Sequence, residues 1–183
     1  LIDIDGLDPA IVAPYACSGI TVYNGLLKAG LTRPDEWLAI LGAGGLGLNA
    51  IAIARAMGFE NIIALDIDDA KLKSAAQMGA DKTLNSTGGE AVAETLKEAT
   101  DNKLFAVLDT FGSEHTGALA VSALAKAGRY VVVGQHGGDF KMPQIWLPQK
   151  AMTVRGSHVG NSGHLRTLCL LYTSDAADDQ AWG

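Results

Sequence analysis

The chain has 183 residues, of which 48% are hydrophobic and 19% charged, which is enough apolar side chain for a packed core and too much for a disordered segment. A net charge of −6 with no basic stripe excludes nucleic acid and anionic membrane surfaces as expected partners. The apolar run after Gly47 is broken by Asn49 and Arg55, so no spanning helix is expected, and two cysteines make no disulfide framework, so the expected compartment is a reducing cytoplasm.

Residues 10–29 are apolar with small side chains and stop at Gly30, which predicts a helix. Pro34 and Asp35 mark a turn. From Trp37 the pattern alternates. Residues 37–41 predict a buried strand, 45–57 a helix with Gly58 beyond it, and 61–65 a second strand. Residues 68–78 predict a helix with Asp68 as N-cap and Gly79 as its stop. A short strand at 81–84, a helix at 90–99 and a strand at 104–108 follow. Residues 113–127 predict a helix ended by Gly128, and 129–133 a strand. Residues 135–149 read as a Gly- and Pro-containing loop, long enough to be functional. A strand at 152–155 and the start of a helix at 161–168 complete the series. Strands alternating with helices predict an α/β fold, a doubly wound parallel sheet of about six strands (the Rossmann fold) with helices on both faces.

Both ends of the chain read differently from its middle. It opens at Leu1 rather than Met and is expected to start inside a longer protein. Residues 169–183 show neither helical nor strand periodicity and resemble a translated sequencing adapter of the transposase type. They are expected to be a non-native tail, excluded from fold reasoning. Setting them aside removes Cys169 and the three acids Asp175, Asp178 and Asp179, and leaves a net charge of −3 with Cys17 as the single cysteine.

Gly42-Ala43-Gly44-Gly45-Leu46-Gly47 fits G-x-G-x-x-G between a predicted strand and a predicted helix. In that setting Gly42 allows the tight turn, Gly44 lets the backbone approach a pyrophosphate, and Gly47 lets helix and strand pack closely. The first N–H groups of the helix then hold the diphosphate. Asp66 ends the second strand 19 residues after Gly47, where a carboxylate accepts hydrogen bonds from ribose hydroxyls. A 2′-phosphate there meets Asp66, Asp68 and Asp69 with no arginine after Asp66, so NAD is expected over NADP. An S-adenosylmethionine methyltransferase uses a similar turn and stands as a rival of different chemistry. A P-loop is excluded because no Gly-Lys-Ser/Thr occurs. A short-chain dehydrogenase is excluded because Gly19, Leu27, Gly134 and Ala176, not lysine, stand four residues after the tyrosines.

A lone cysteine in an apolar helix, such as Cys17, reads first as a small buried hydrophobe. Its neighbourhood, Ala13-Pro14-Tyr15-Ala16-Cys17-Ser18-Gly19-Ile20-Thr21-Val22-Tyr23, is followed in order by the glycine turn, the Asp66 strand, Tyr130-Val131-Val132-Val133-Gly134 and Val154-Arg155-Gly156-Ser157-His158-Val159-Gly160-Asn161. This series resembles the zinc-dependent alcohol dehydrogenases of the medium-chain dehydrogenase/reductase superfamily, over residues 7–168.

The resemblance implies that Cys17 is one ligand of a catalytic zinc and that Thr21 packs beside the nicotinamide. It implies that Gly45 and Leu46 offer backbone N–H to the pyrophosphate and that Lys71 contacts the adenosine ribose. It further implies that Thr110, Phe111, Val133, Gly134, Ser157 and Val159 line the nicotinamide half. The parent is then expected to pass a hydride between an alcohol and NAD, giving an aldehyde or ketone. Residues 1–36 become the end of a catalytic domain with its linking helix, and 37–168 an NAD-binding domain truncated at its C-terminal end. The strand near Met152 to Arg155 would pair copies of the full-length protein into a homo-oligomer.

The family's other zinc ligands and its proton relay are missing from this chain, and His115, His136, His158 and His164 read as surface or loop residues, not replacements. Asp109 reads as a structural carboxylate for nearby backbone. The chain alone is therefore expected to bind NAD without turnover. A zinc-free quinone or enone reductase of the same superfamily, and a non-catalytic nucleotide-binding module, are the alternatives.

Overall fold

Residues 37–41 carry no charged side chain, and all of them are buried, because a strand covered on both faces has no place for polarity. This strand, β1 (Trp37–Leu41), lies inside a six-stranded sheet. Beside it stand β2 (Asn61–Asp66) and β3 (Lys82–Asn85) on one side, and β4 (Leu104–Asp109), β5 (Arg129–Val132) and β6 (Thr153–Gly156) on the other. The order is β3-β2-β1-β4-β5-β6 and every pairing is parallel. That is the doubly wound order, with the winding reversed between β1 and β4. The computed structural model describes residues 13–30, 32–89 and 91–175, with side chains to residue 171.

Successive strand residues face opposite ways, and the core divides accordingly. Leu38, Ile40, Ile62, Ala64, Ala106 and Leu108 pack on one face against α1 (Ser18–Ala29) and α2 (Gly45–Ala56). Ala39, Leu41, Ile63, Leu65, Leu104 and Val107 pack on the other against α4 (Ala91–Ala99) and α5 (Glu114–Ala123). Each fully buried leucine or isoleucine contributes about 1.5–3 kcal/mol. The remaining helices are α3 (Asp69–Gln77), α6 (Trp146–Lys150) and α7 (Ser162–Asp175). Among the described residues no helix is long and apolar enough to cross a membrane.

Four boundaries differ from the sequence expectation by more than one residue. The helix expected over 10–29 is a 3-10 turn at Ala13–Ala16 followed by α1; residues 10–12 lie outside the described residues. The expected stop of α5 at Gly128 comes too late. Leu124 is already extended (φ −57, ψ 134), and Ala125 N–H donates to the Leu104 carbonyl at 2.9 Å, so the first residue of β4 draws the chain out of the helix. The expected loop 135–149 contains most of α6. Pro148 sits in the first turn of that helix, where a missing N–H breaks no ladder bond. Lys150 anchors α6 by donating from Nζ to the Val121 carbonyl at 3.0 Å, with its ammonium 4.8 Å from the centre of the Trp146 ring. Burial, then the Lys97 charge, lowers the Lys150 pKa. Finally, α7 runs through residue 169 to Asp175. Leu165, Leu168 and Leu171 pack on the same core, so the helical spacing does cross that boundary, contrary to the reading of 169–183 as aperiodic.

Candidate functional site at the carboxyl edge of the sheet

The strands of a parallel sheet all end at one edge, and the loops there gather side chains from distant parts of the sequence. After β1 the chain turns at Gly42, whose φ of +92 favours glycine. Its N–H donates to the Leu65 carbonyl at 2.8 Å. Gly47 meets the same turn from inside α2. A Cβ on Gly47 would lie 1.8 Å from the Gly42 carbonyl oxygen. Gly44 and Gly45 are the opposite case, since a Cβ on either would meet nothing within 4 Å. Their missing side chains leave open space in front of α2. The first ladder bond of α2 is Leu48 N–H to the Gly44 carbonyl, so the N–H groups of Gly45, Leu46 and Gly47 lie outside the ladder. The geometry supplies a turn at Gly42, open space at Gly44 and Gly45, and close packing at Gly47.

Asp66 closes β2 beside this turn. Its Oδ2 accepts the Ala43 N–H at 2.8 Å and its Oδ1 the Asp68 N–H at 3.1 Å, with Lys71 Nζ at 3.8 Å. Asp66 thus steadies the glycine turn as well as facing the edge. Asp68, as expected, caps α3 by accepting the Ala70 N–H at 2.8 Å. Asn85 Nδ2 donates to Asp69 Oδ1 at 2.6 Å.

After β4 the chain is tied inward. Thr110 Oγ1 donates to the Leu41 carbonyl at 2.9 Å and lies 3.1 Å from the Gly42 carbonyl oxygen, joining the ends of β4 and β1. Asp109 is fully buried. Its Oδ1 accepts the N–H groups of Phe111 at 3.0 Å and Gly112 at 2.8 Å, the backbone-binding role read from sequence. Its Oδ2 accepts the Tyr130 hydroxyl at 2.9 Å. Burial, with the Asp109 charge, pushes the Tyr130 phenol above its ordinary range. Phe111 is 47% exposed at the edge, its ring stacked 4.3 Å from that of His136. Val133 and Gly134 hang from the Asp109 carbonyl by their N–H groups at 2.9 and 3.0 Å. Gly112 and Gly134 touch backbone to backbone: a Cβ on Gly134 would lie 2.1 Å from the Phe111 carbonyl carbon.

After β6, Ser157 is buried and its N–H donates to the Val132 carbonyl at 2.8 Å. Val159 follows at φ +47. Residues 42–47, Asp66, Lys71, Thr110, Phe111, Val133, Gly134, Ser157 and Val159 therefore all stand on one edge of the sheet. Cys17 and Thr21 belong to the start of α1, where Thr21 Oγ1 donates to the Cys17 carbonyl at 2.6 Å. Cys17 is exposed, not a buried hydrophobe. Among the described residues no group of three or more His, Cys, Asp and Glu could hold a metal ion. One thiolate does not make a catalytic zinc site, which takes three protein ligands.

Sequence alone gives Tyr130 no role beyond its place in a motif, and Asn24 none. A phenol inside a buried strand needs a partner, and the carboxylate ending the neighbouring strand was the available signal. Asn24 lies one helical turn beyond Thr21, on the same side of α1.

The family described as zinc-binding dehydrogenase has a model that matches residues 45–173. An NAD-dependent alcohol dehydrogenase of Sulfurisphaera tokodaii is 37% identical over 150 residues, 81% of this chain and 43% of that protein. The solved alcohol dehydrogenase of Aeropyrum pernix superposes with a TM-score of 0.84 at 30% identity, over 93% of this chain and 50% of that one. The acetophenone reductase of Geotrichum candidum, solved in complex with NAD, gives 0.81 at 27% identity, over 97% and 49%. The chain thus spans about half the length of the relatives it matches.

Proposed function

Because this chain belongs to the zinc-binding dehydrogenase family, we propose that it is the NAD-binding part of an alcohol dehydrogenase, with residues 37–168 as its cofactor domain. The observation that carries the reading is the pairing of an open Gly44–Gly45 approach with the Asp66 carboxylate, fixed beside it by the Ala43 N–H. A bound NAD supplies the hydride chemistry at its nicotinamide ring. The chain's own residues bind and orient. Gly45 and Leu46 present N–H groups to the diphosphate, and Asp66, with Lys71, takes the ribose hydroxyls. Thr21, Thr110, Phe111, Val133, Gly134, Ser157 and Val159 line the nicotinamide end. Three aspartates at the ribose position, Asp66, Asp68 and Asp69, disfavour a 2′-phosphate.

The substrate class that goes with the reading is a small alcohol or its carbonyl partner. Cys17 would serve as one zinc ligand in a longer protein. Among the described residues no set fits a zinc site, so no step is assigned to a metal. The outer strand β6, whose residues are largely exposed, is the edge through which copies of the longer protein would pair.

The test is a fluorescence titration of the 183-residue chain with NADH, NADPH and S-adenosylmethionine. Expected is saturable NADH binding, with NADPH weaker by about tenfold or more. Tighter NADPH binding, or preference for S-adenosylmethionine, overturns the reading. Turnover of alcohols by the chain alone would overturn the assignment of catalysis to residues it does not contain.

A further inference from the structure

Helix α7 begins with two side chains that cap each other's backbone. Asn161 Oδ1 accepts the His164 N–H at 2.9 Å, and the Asn161 N–H donates to His164 Nδ1 at 3.4 Å. The bond from the Leu165 N–H to the Asn161 carbonyl, at 3.1 Å, opens the ladder, so Asn161 is the N-cap and His164 the third helical residue. This is the reciprocal arrangement of a capping box, whose third residue is ordinarily glutamate or glutamine. Either of those offers an acceptor at neutral and mildly acid pH. An imidazole offers one only while Nδ1 carries no proton.

The same imidazole bears on the loop after β6. A Cβ on Gly160 would lie 3.0 Å from His164 Nδ1 and 2.8 Å from the Ile20 carbonyl oxygen, so the loop is seated between α7 and α1. Asn24 Nδ2 donates to the Val159 carbonyl at 2.5 Å, and Lys28 Nζ to the Gly156 carbonyl at 3.1 Å. Residues 156–160 are thus held by α1 on one side and by the first turn of α7 on the other.

A proton on His164 acts twice in one direction. It removes the acceptor of the Asn161 N–H, and it puts a cation among the free N–H groups of a helix N-terminus, where the dipole disfavours positive charge. No anion stands by to offset it. Helix α7 packs on α1, α2 and the 13–16 turn. The titratable and charged side chains of those elements and of the N-cap of α1 are Tyr15, Cys17, Tyr23, Lys28 and Arg55. Tyr23 touches the imidazole, with ring centres 5.8 Å apart. The loop adds His158, and α7 itself adds Arg166 two residues on. The one carboxylate of α7, Asp175, lies about three turns away.

We propose that the start of α7 is a proton-operated clasp: neutral His164 closes it, and protonated His164 opens it and slackens loop 156–160. Its stabilisation is present at neutral pH and is lost as pH falls through the range in which histidine takes up a proton. Helix α5 carries a counterpart that does not titrate there, since its N-cap Ser113 N–H donates to the Thr116 hydroxyl at 2.9 Å. The inference stands apart from the cofactor reading.

The experiment is backbone hydrogen exchange on the full chain, corrected for intrinsic rates, together with imidazole nitrogen spectra. At about pH 7.5 His164 is expected as the Nε2–H tautomer, because Nδ1 accepts. On passing to about pH 5.5, protection of amides 161–165 is expected to fall about fivefold in the unaltered chain and to stay within about twofold in His164→Gln, which keeps a carbonyl acceptor. Amides 113–117 at the start of α5 are expected to stay within about twofold in both chains. An Nδ1–H tautomer overturns the proposal. So does an equal fall in the unaltered chain and in His164→Gln, and so does a fall at α5 as large as that at α7, which marks general loosening in acid.

Discussion

At the β1–α2 turn, geometry is set by absent side chains: Gly42 turns left-handed, Gly47 touches the turn's carbonyl, and Gly44 and Gly45 leave space. At the loops after β4, β5 and β6, it is set by side chains that reach across elements. Asp109 holds the 111–112 backbone, Tyr130 holds Asp109, and Asn24 holds Val159. The first construction is steric and fails abruptly. The second is a set of separable hydrogen bonds and should fail by degrees.

The sharpest break lies within the first region. Gly47→Ala drives a methyl into the Gly42 carbonyl and is expected to cost at least about 3–5 kcal/mol, read as loss of the cooperative thermal transition. Next is Asp109→Ala, which strands two part-buried N–H groups and the buried Tyr130 hydroxyl. About 2–4 kcal/mol is expected by denaturant titration, with NADH binding weakened further than ADP-ribose binding. Tyr130→Phe removes one bond of that network and is expected to cost about 1 kcal/mol. A destabilisation by Tyr130→Phe as large as that of Asp109→Ala would contradict the separable picture.

Tyr130 also gives a pH signature. Its folded pKa is raised by burial and by Asp109, so the unfolded chain loses the phenol proton first. The stabilisation is complete below the unfolded value of about 10 and falls as pH rises above it. Stability of the parent should therefore decline more steeply with alkaline pH than that of Tyr130→Phe. Smallest in stability is Gly45→Ala, where a Cβ meets open space at the start of α2. Stability should stay within about 0.5 kcal/mol or rise, while NADH affinity falls because the methyl occupies the approach. Unchanged affinity would remove Gly45 from the cofactor site.

The two regions also differ in how far sequence revealed them. Glycine turns and the acid ending β2 follow local rules, so Gly42, Gly44, Gly47 and Asp66 were legible from spacing alone. Strand and helix types were legible for the same reason, since apolar runs and N-caps such as Asp68 are local signals. The α5 terminus was not, because Ala125 answers to Leu104, about twenty residues away. Nor was α6, whose lysine anchor bonds to α5. Asn24 and Tyr130 escaped because each role depends on a partner fixed only by the tertiary fold. Past residue 169 the described core contact of α7 is Leu171, a single position, which is too short a stretch to show a period in sequence.

The contact between Gly112 and Gly134 bears on how the sheet is assembled. These turns interlock so tightly that any Cβ on Gly134 would overlap the Phe111 carbonyl. Sliding β5 by one residue against β4 would bring Val133 or Gln135 to that point. Either side chain would collide, besides turning the strand's apolar residues to the wrong face. The pair thus works as a proofreading latch, which closes only when Ala106 lies opposite Arg129 and Asp109 opposite Val132.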